Sequence, residues 1–277
     1  MGTDTLGRDV LAGLISGARM SLIIAFISLT IALVLGFLFN LFTSYIGDGK
    51  VKINLAQCFV LIISSIFLYY YLFVAFTVSW FFKILLIGLA IVFLSLLLRT
   101  VNGIGKQFIK IPLDTIGQKI YELFRAIPKL IVLLIFIGLS PKNNVWTISL
   151  ILGFLLWPLF FRYIRVEILS EKGKERFSSL KNLGYSDIRI ITSDFLPTML
   201  PILTTPFIFA FVSVIFLEAN LSFLGLGISD EVTWGVLLSE AKRNTSAWWL
   251  VVFPGICLFS VFFILDRWLG EEERSFL

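Results

Sequence analysis

Apolar residues in this chain occur in long runs that polar residues interrupt only briefly. Backbone polar groups cannot stay unpaired in lipid, so a run that spans a bilayer must be a helix or a strand of a closed barrel. A barrel strand alternates apolar and polar positions, and these runs do not. The pattern predicts an all-α protein, a polytopic transmembrane helical bundle of about seven spans, each near the roughly 20 residues needed to cross the hydrocarbon. The predicted spans are 22–45, 55–77, 82–98, 120–139, 145–164, 198–217 and 249–269.

Composition supports a membrane protein and excludes several classes of site. The chain is 58% hydrophobic and 15% charged, whereas a soluble domain carries about 25% charged residues. A net charge of +5 does not indicate nucleic-acid binding, because membrane proteins concentrate Lys and Arg in cytoplasmic loops. Histidine is absent, and both cysteines, Cys58 and Cys257, lie inside apolar runs. We therefore expect no catalytic residue, no metal site and no cofactor, and we expect the cysteines to act as small packing residues.

The basic residues predict an orientation. Seven spans place the two termini on opposite sides, and most of the 23 Lys and Arg residues fall on one side of the bilayer. The positive-inside rule assigns that side to the cytoplasm. We therefore expect the N-terminus of this chain outside and the C-terminus in the cytoplasm.

The longest cytoplasmic connection, 165–197, contains two short helical patterns with a turn between them. Gly184 suits the C′ position of the first helix, where a left-handed conformation is needed. Ser186 suits the N-cap of the second, and Asp187 is favourable at the positive end of that helix. One face of the first helix would carry three apolar side chains: Phe177, Leu180 and Leu183.

Two further motifs join this connection in resembling one transporter family. Residues 2–11 read GTDTLGRDVL, which alone could be a capped surface helix, and residues 218–227 read EANLSFLGLG. Together they resemble the C-type permease subunits of the ATP-driven dipeptide, oligopeptide and nickel importers. The resemblance covers about residues 1–47 and 112–270, and it implies a fold like that of type I ABC importer permeases.

The resemblance implies that 175–197 is the EAA loop, which such permeases present to their ATPase subunits. The Glu-Ala-Ala positions of the family are occupied here by Ser178, Ser179 and Leu180. The acidic contact is therefore either missing or supplied by Glu175, and an ordinary solvated loop is the alternative reading. The implied coupling residues are Glu175, Phe177, Ser178, Ser179, Leu180, Gly184, Asp187, Arg189, Leu196 and Pro197.

Other residues are candidates for a gate or an outer vestibule. Pro128 ends an Ala-x-Pro motif and would kink its helix, which suits a gate, although many membrane prolines are simply tolerated. Glu218 could line the vestibule or be solvated at the membrane surface. Small residues near it permit close approach of a helix or a ligand: Ser222, Gly225 and Gly227.

The chain contains no glycine-rich phosphate-binding loop, so any ATP hydrolysis would take place in a separate subunit. The resemblance implies import of peptides, nickel or related small solutes across a bacterial inner membrane. It also implies the partners: a homologous second permease, two ATP-binding subunits and an external substrate-binding protein, within membrane lipid. Two alternatives are a stand-alone secondary transporter, which needs ionisable residues within its spans, and a non-transporting membrane scaffold.

Two departures from the family define the expected segments. The span that the family places before the first motif is absent, and residues 51–110 add two spans. These two spans are apolar at nearly every helical angle, which predicts a peripheral hairpin that does not line the translocation path. The expected segments are an external or interfacial amphipathic segment (1–21), a first span (22–47), the hairpin with its cytoplasmic flanks (48–111), a core domain (112–270) and a cytoplasmic tail (271–277).

Overall fold

The computed structural model describes residues 2–3, 7–49, 52–54, 108–140, 143–228, 231–244 and 246–275. Both spans of the predicted hairpin, 55–77 and 82–98, lie outside the described residues. The described part is helical apart from two short strands, β1 (Lys52–Asn54) and β2 (Phe108–Lys110). Its helices are α1 (Val10–Asn40), α2 (Leu113–Ala126), α3 (Lys129–Gly138), α4 (Val145–Gly173), α5 (Glu175–Asn182), α6 (Asp187–Ile190), α7 (Leu196–Ile202), α8 (Thr204–Phe223), α9 (Trp234–Glu240) and α10 (Trp249–Ser275). Two π-helical turns, Leu41–Tyr45 and Ile191–Phe195, extend α1 and precede α7.

Four of the described helical segments are long and apolar enough to cross a membrane: Val10–Tyr45, Val145–Gly173, Thr204–Phe223 and Trp249–Arg267. Each overlaps one of the predicted spans. The first begins earlier than predicted, because Asp9 accepts a hydrogen bond from the Leu11 N–H and caps α1. Half of the segment 1–21 is therefore continuous with the first span as one helix.

The predicted span 120–139 is not one helix. It is divided into α2 and the ten-residue α3 by a break at Pro128, which adopts φ −59° and ψ 121°. Proline has no N–H to donate, and it disfavours the helical conformation of the residue before it. The carbonyl of Pro128 instead accepts hydrogen bonds from the N–H groups of Ile131 and Val132.

The predicted span 198–217 is also displaced. The chain breaks between α7 and α8 at Leu203, and the apolar span is Thr204–Phe223. Pro201 and Pro206 lie on either side of this break. Because neither can donate a backbone hydrogen bond, one uninterrupted helix through this region is disfavoured.

The most extensive contact among the described elements is that of α1 with α4. Two glycines allow the backbones to approach. A Cβ atom on Gly153 would lie 2.7 Å from the carbonyl oxygen of Ser28, and one on Gly36 would lie 2.9 Å from the Cβ of Phe160. Asn40 adds a polar tie, since its Nδ2 donates to the Phe161 carbonyl at 2.9 Å. Small residues are the usual basis of such close packing between membrane helices.

Residues 46–116 form a second compact unit. Within it β1 pairs with β2 in antiparallel register, with Lys52 opposite Lys110 and Ile53 opposite Ile109. The carboxylate of Asp48 accepts hydrogen bonds from the N–H groups at the start of α2, at 2.7 Å from Asp114. The segments 52–54 and 108–110, which flank the predicted hairpin in sequence, are therefore neighbours in space.

Replacing Gly153 with Val should loosen the α1–α4 contact. The added atoms have no room, and overpacking of this kind destabilises by about 1–3 kcal/mol. The matched control is Gly255→Val in α10, where a Cβ meets nothing within 4 Å. Thermal unfolding in detergent, followed by tryptophan fluorescence, should show a lower midpoint for Gly153→Val than for Gly255→Val. Equal midpoints would contradict the close packing described here.

Candidate functional site

The turn between α5 and α6 is built by local hydrogen bonds. Gly184 adopts φ +80°, its N–H donates to the Lys181 carbonyl, and the Tyr185 N–H donates to the Leu180 carbonyl. This pair of bonds is a Schellman motif, in which the left-handed residue at C′ satisfies the last carbonyls of a helix. Ser186 then caps α6 by accepting from the Arg189 N–H. The predicted conformation of Gly184 and the predicted cap at Ser186 are both confirmed.

Three aromatic rings pack together between this turn and the core of the bundle. Tyr45 ends the π-helical turn after α1, Phe177 lies on α5, and Phe195 precedes α7. The Tyr45 and Phe195 ring centroids lie 5.6 Å apart, and those of Phe177 and Phe195 lie 5.8 Å apart. Phe195 is fully buried and Phe177 is half-buried. The turn therefore rests on the end of the first span rather than standing free.

Polar contacts also join α6 to the end of the first span. The Tyr45 hydroxyl donates to Asp187 Oδ1 at 2.6 Å, and Lys181 forms an ion pair with the same carboxylate. The ammonium group of Lys172 donates to the carbonyls of Ser44 and Tyr45, both at 2.9 Å. These carbonyls end the first span, and a cation is favourable at a helix C-terminus.

Two nearly buried carboxylates hold the start of α5. Glu171 is 5% exposed and pairs with Lys174, and Asp194 is 7% exposed and pairs with Arg176. The hydrogen bond to Glu171 raises the pKa of the Lys174 ammonium group above its usual value. Removing one partner of such a pair would leave a carboxylate with little access to water, which is strongly destabilising.

The outward side of the turn carries three of the predicted coupling residues. Glu175, Ser178 and Ser179 are exposed, and the Glu175 carbonyl accepts hydrogen bonds from both serine hydroxyls. Phe177 and Leu180 pack against the core. The prediction that Leu183 shares their face was wrong, because it caps the C-terminus of α5 and is 73% exposed.

The last of the predicted coupling residues lie on and after α6. The Arg189 guanidinium stacks over the Tyr185 ring, 4.5 Å from its centroid. Leu196 and Pro197 are exposed at the start of α7. Ile188, which sequence analysis did not select, is 75% exposed. The turn therefore presents two large apolar side chains, Leu183 and Ile188, to the outside of this chain.

Glu218 lies at the opposite end of the bundle, in a cluster of hydroxyl groups. Its Oε1 accepts hydrogen bonds from Ser222 and Thr233, both at 2.7 Å, and its Oε2 accepts from Ser21 at 3.4 Å. Glu218 is only 1% exposed. Neither sequence-based alternative, a vestibule wall or a solvated surface, describes this position, because the surrounding helices enclose the carboxylate.

Glycines make this enclosure possible. A Cβ on Gly227 would lie 2.1 Å from the Ser222 Oγ, and one on Gly235 would lie 2.6 Å from the Ala219 Cα. Gly225 ends α8 with φ +82°, in the same hydrogen-bonding pattern as Gly184. The sequence predicted that these small residues permit close approach of a helix or a ligand. In the structure they permit close approach between segments of this chain.

Sequence analysis missed the partners of both clusters. Tyr45, Lys172 and Asp194 support the α5–α6 turn, while Ser21 and Thr233 surround Glu218. The one local signal was at Thr233, whose Oγ1 accepts from the Val236 N–H and caps α9. The others are ordinary residues that only the fold brings together.

The long apolar helices are those of a multi-pass membrane protein. A family model described as "Binding-protein-dependent transport system inner membrane component" matches residues 101–273. The chain belongs to this family.

Relatives agree with this assignment. A protein named as a peptide transport system permease in Brucella suis is 30% identical over 194 residues, covering 69% of this chain and 64% of that protein. The dipeptide transport system permease protein of Alkalihalophilus pseudofirmus is 26% identical, over 94% of this chain and 65% of its own length. This chain thus spans a little under two thirds of these relatives.

A solved structure shows the same fold. The MetNI methionine ABC transporter, in an inward-facing conformation, matches with a TM-score of 0.54 at 15% identity. The match covers 95% of this chain and 97% of the compared chain.

Replacing Glu218 tests the hydroxyl cluster. Glu218→Leu removes the acceptor of three hydroxyl groups, and leaving buried groups unsatisfied costs about 1–3 kcal/mol. Glu218→Gln keeps one oxygen for Ser222 and Thr233 and offers an N–H to Ser21. Thermal unfolding in detergent should therefore rank the unaltered chain and Glu218→Gln above Glu218→Leu. A Leu variant as stable as the Gln variant would show that the hydrogen bonds are not stabilising.

Proposed function

We propose that this chain is a membrane-spanning permease subunit of an ATP-driven importer for peptides. Family membership supports the importer class, and the names of the relatives as peptide and dipeptide permeases support peptides as the cargo. The observation that carries the proposal is the α5–α6 turn, which is exposed on one side and fixed to the end of α1 on the other. A rigid turn of this kind can pass the movement of a docked ATPase to the spans, whereas a loose loop cannot.

The proposed assembly contains a second, homologous permease, two ATP-binding subunits and an external substrate-binding protein. Hydrolysis of ATP belongs to the ATP-binding subunits. The α5–α6 turn lies in the cytoplasm in this proposal, with the N-terminus of the chain outside and the C-terminus inside. Glu175, exposed at the start of α5, supplies the acidic group toward the ATPase, and Leu183 and Ile188 supply the apolar contact.

Gly184→Val should uncouple the ATPase while the chain still inserts in the membrane. A β-branched residue at φ +80° costs on the order of 1–2 kcal/mol or more, and a Cβ there meets nothing within 4 Å, so the effect is conformational. Gly184→Asn is the matched control, because Asn tolerates the left-handed conformation. We expect stimulated ATPase activity of the purified assembly to fall for Val and to persist for Asn. Full stimulation in the Val variant would exclude this turn as the docking element.

Cysteine labelling tests the proposed orientation. In a chain lacking Cys58 and Cys257, a cysteine in place of Gly173, where a Cβ meets nothing within 4 Å, should be protected from a membrane-impermeant maleimide in intact cells. A cysteine in place of Asn244, which is exposed at the other end of the bundle, should react. Both should react after the membrane is opened with detergent. The reverse pattern in intact cells would rule out ATPase contact at the α5–α6 turn.

A further inference from the structure

The break between α2 and α3 lies near the middle of the membrane. The stretch 145–161 of α4 contains no charged residue, and Phe154 is close to its centre. As α2 advances, its contacts move back along α4: Tyr121 packs on Phe161 at 5.6 Å, and Phe124 packs on Phe154 at 5.5 Å.

Beyond the break, the chain remains at this depth. Phe136 on α3 packs on the same Phe154 ring, with centroids 6.0 Å apart. Phe124 and Phe136, which flank the break, therefore both lie near the α4 midpoint. Arg125 and Lys129 both lie in the interval between them. The ring contacts therefore place these two residues away from the ends of the spans.

Both cations are exposed on the surface of this chain. One turn before them, Glu122 is paired with Lys119 at 2.9 Å. Among the described residues, neither Arg125 nor Lys129 has an ion-pair partner that could neutralise it. The surface at the break therefore carries two positive charges at a depth where lipid would surround them.

Charged side chains at the membrane midplane are costly in lipid, and they face a water-filled cavity or the interior of an assembly instead. We propose that Arg125 and Lys129 line the translocation path and bind a carboxylate of the passing cargo. The inference rests on the proposed function, and it assigns the path a preference for a free carboxylate, such as the one that ends every unmodified peptide.

The chemistry of the two side chains fits this ligand. A guanidinium group binds a carboxylate through two parallel hydrogen bonds, and an ammonium group adds a point charge. The α2–α3 break exposes the two cations together with Ile127 and Leu130. A peptide end, which combines a carboxylate with an apolar side chain, would meet both kinds of group there.

The test is binding of a labelled tripeptide to the purified permease–ATPase assembly without its external binding protein. The free-acid peptide should bind, and the double variant Arg125→Gln/Lys129→Gln should weaken this binding at least about tenfold. The same peptide with an amidated C-terminus should bind weakly, and its binding should change little in the variant.

The charge-conserving pair Arg125→Lys/Lys129→Arg should retain most of the preference for the free acid. Arg162→Gln, which removes an exposed cation beyond the uncharged stretch of α4, should leave it unchanged.

Unchanged binding of the free acid in the double variant would overturn the proposal, as would an equal loss for acid and amide. An equal loss would point to a pairing between these cations and the second permease. Failure of the unaltered assembly to bind the free acid at millimolar concentration would also overturn it. Peptide uptake by the complete assembly with its binding protein, measured in parallel, tests the proposed function separately.

Discussion

Water is absent from the hydrocarbon of a bilayer, and every polar group placed there must find its partner within the protein. This constraint explains the features that distinguish this bundle. Asn40 donates to two backbone carbonyls, those of Gly36 and Phe161, and Glu218 is enclosed by three hydroxyl groups. Where α8 ends, the Gly225 turn satisfies its last carbonyls. The same constraint makes Arg125 and Lys129 conspicuous, because their partners are not found among the described residues.

At the breaks in the helices, backbone polar groups find hydrogen-bond partners outside a continuous helical ladder. At Pro128 the helix is interrupted, and α3 begins where the Pro128 carbonyl accepts hydrogen bonds from the N–H groups of Ile131 and Val132. At Leu203 a second break separates α7 from α8, between two prolines. The first break lies between α1 and α4 in the chain and the second follows α4, whereas the α1–α4 contact itself is held closed by Gly36 and Gly153. A rigid pair beside interrupted helices provides both a frame and segments that can change angle.

Sequence reasoning succeeded where the determining forces are local. Gly184 and Ser186 were predicted correctly, because a left-handed turn and an N-cap depend on a few consecutive residues. It failed where partners are distant: Tyr45 and Asp187 are separated by 142 residues, and Ser21 and Glu218 by 197. Leu183 was misplaced because helical spacing ignores where a helix ends. The break at Pro128 was expected as a kink, and hydropathy alone could not show that the helix is interrupted, since apolar residues continue beyond it.

The first span joins the α5–α6 turn, on which the proposed function depends, to the Glu218 cluster. At one end, Ser21 contacts Glu218, and the Leu14 carbonyl accepts from the Trp234 indole N–H at 3.0 Å. At the other end, Tyr45 contacts Asp187, and Lys172 binds the terminal carbonyls. The α5–α6 turn therefore cannot shift far while the Glu218 cluster stays in place, unless the span bends or one set of contacts breaks. The π-helical turn at Leu41–Tyr45 lies between the α4-packed part of α1 and Asp187, and such turns occur frequently at functional sites. Bending there would let the turn move while the hydroxyl cluster remains closed.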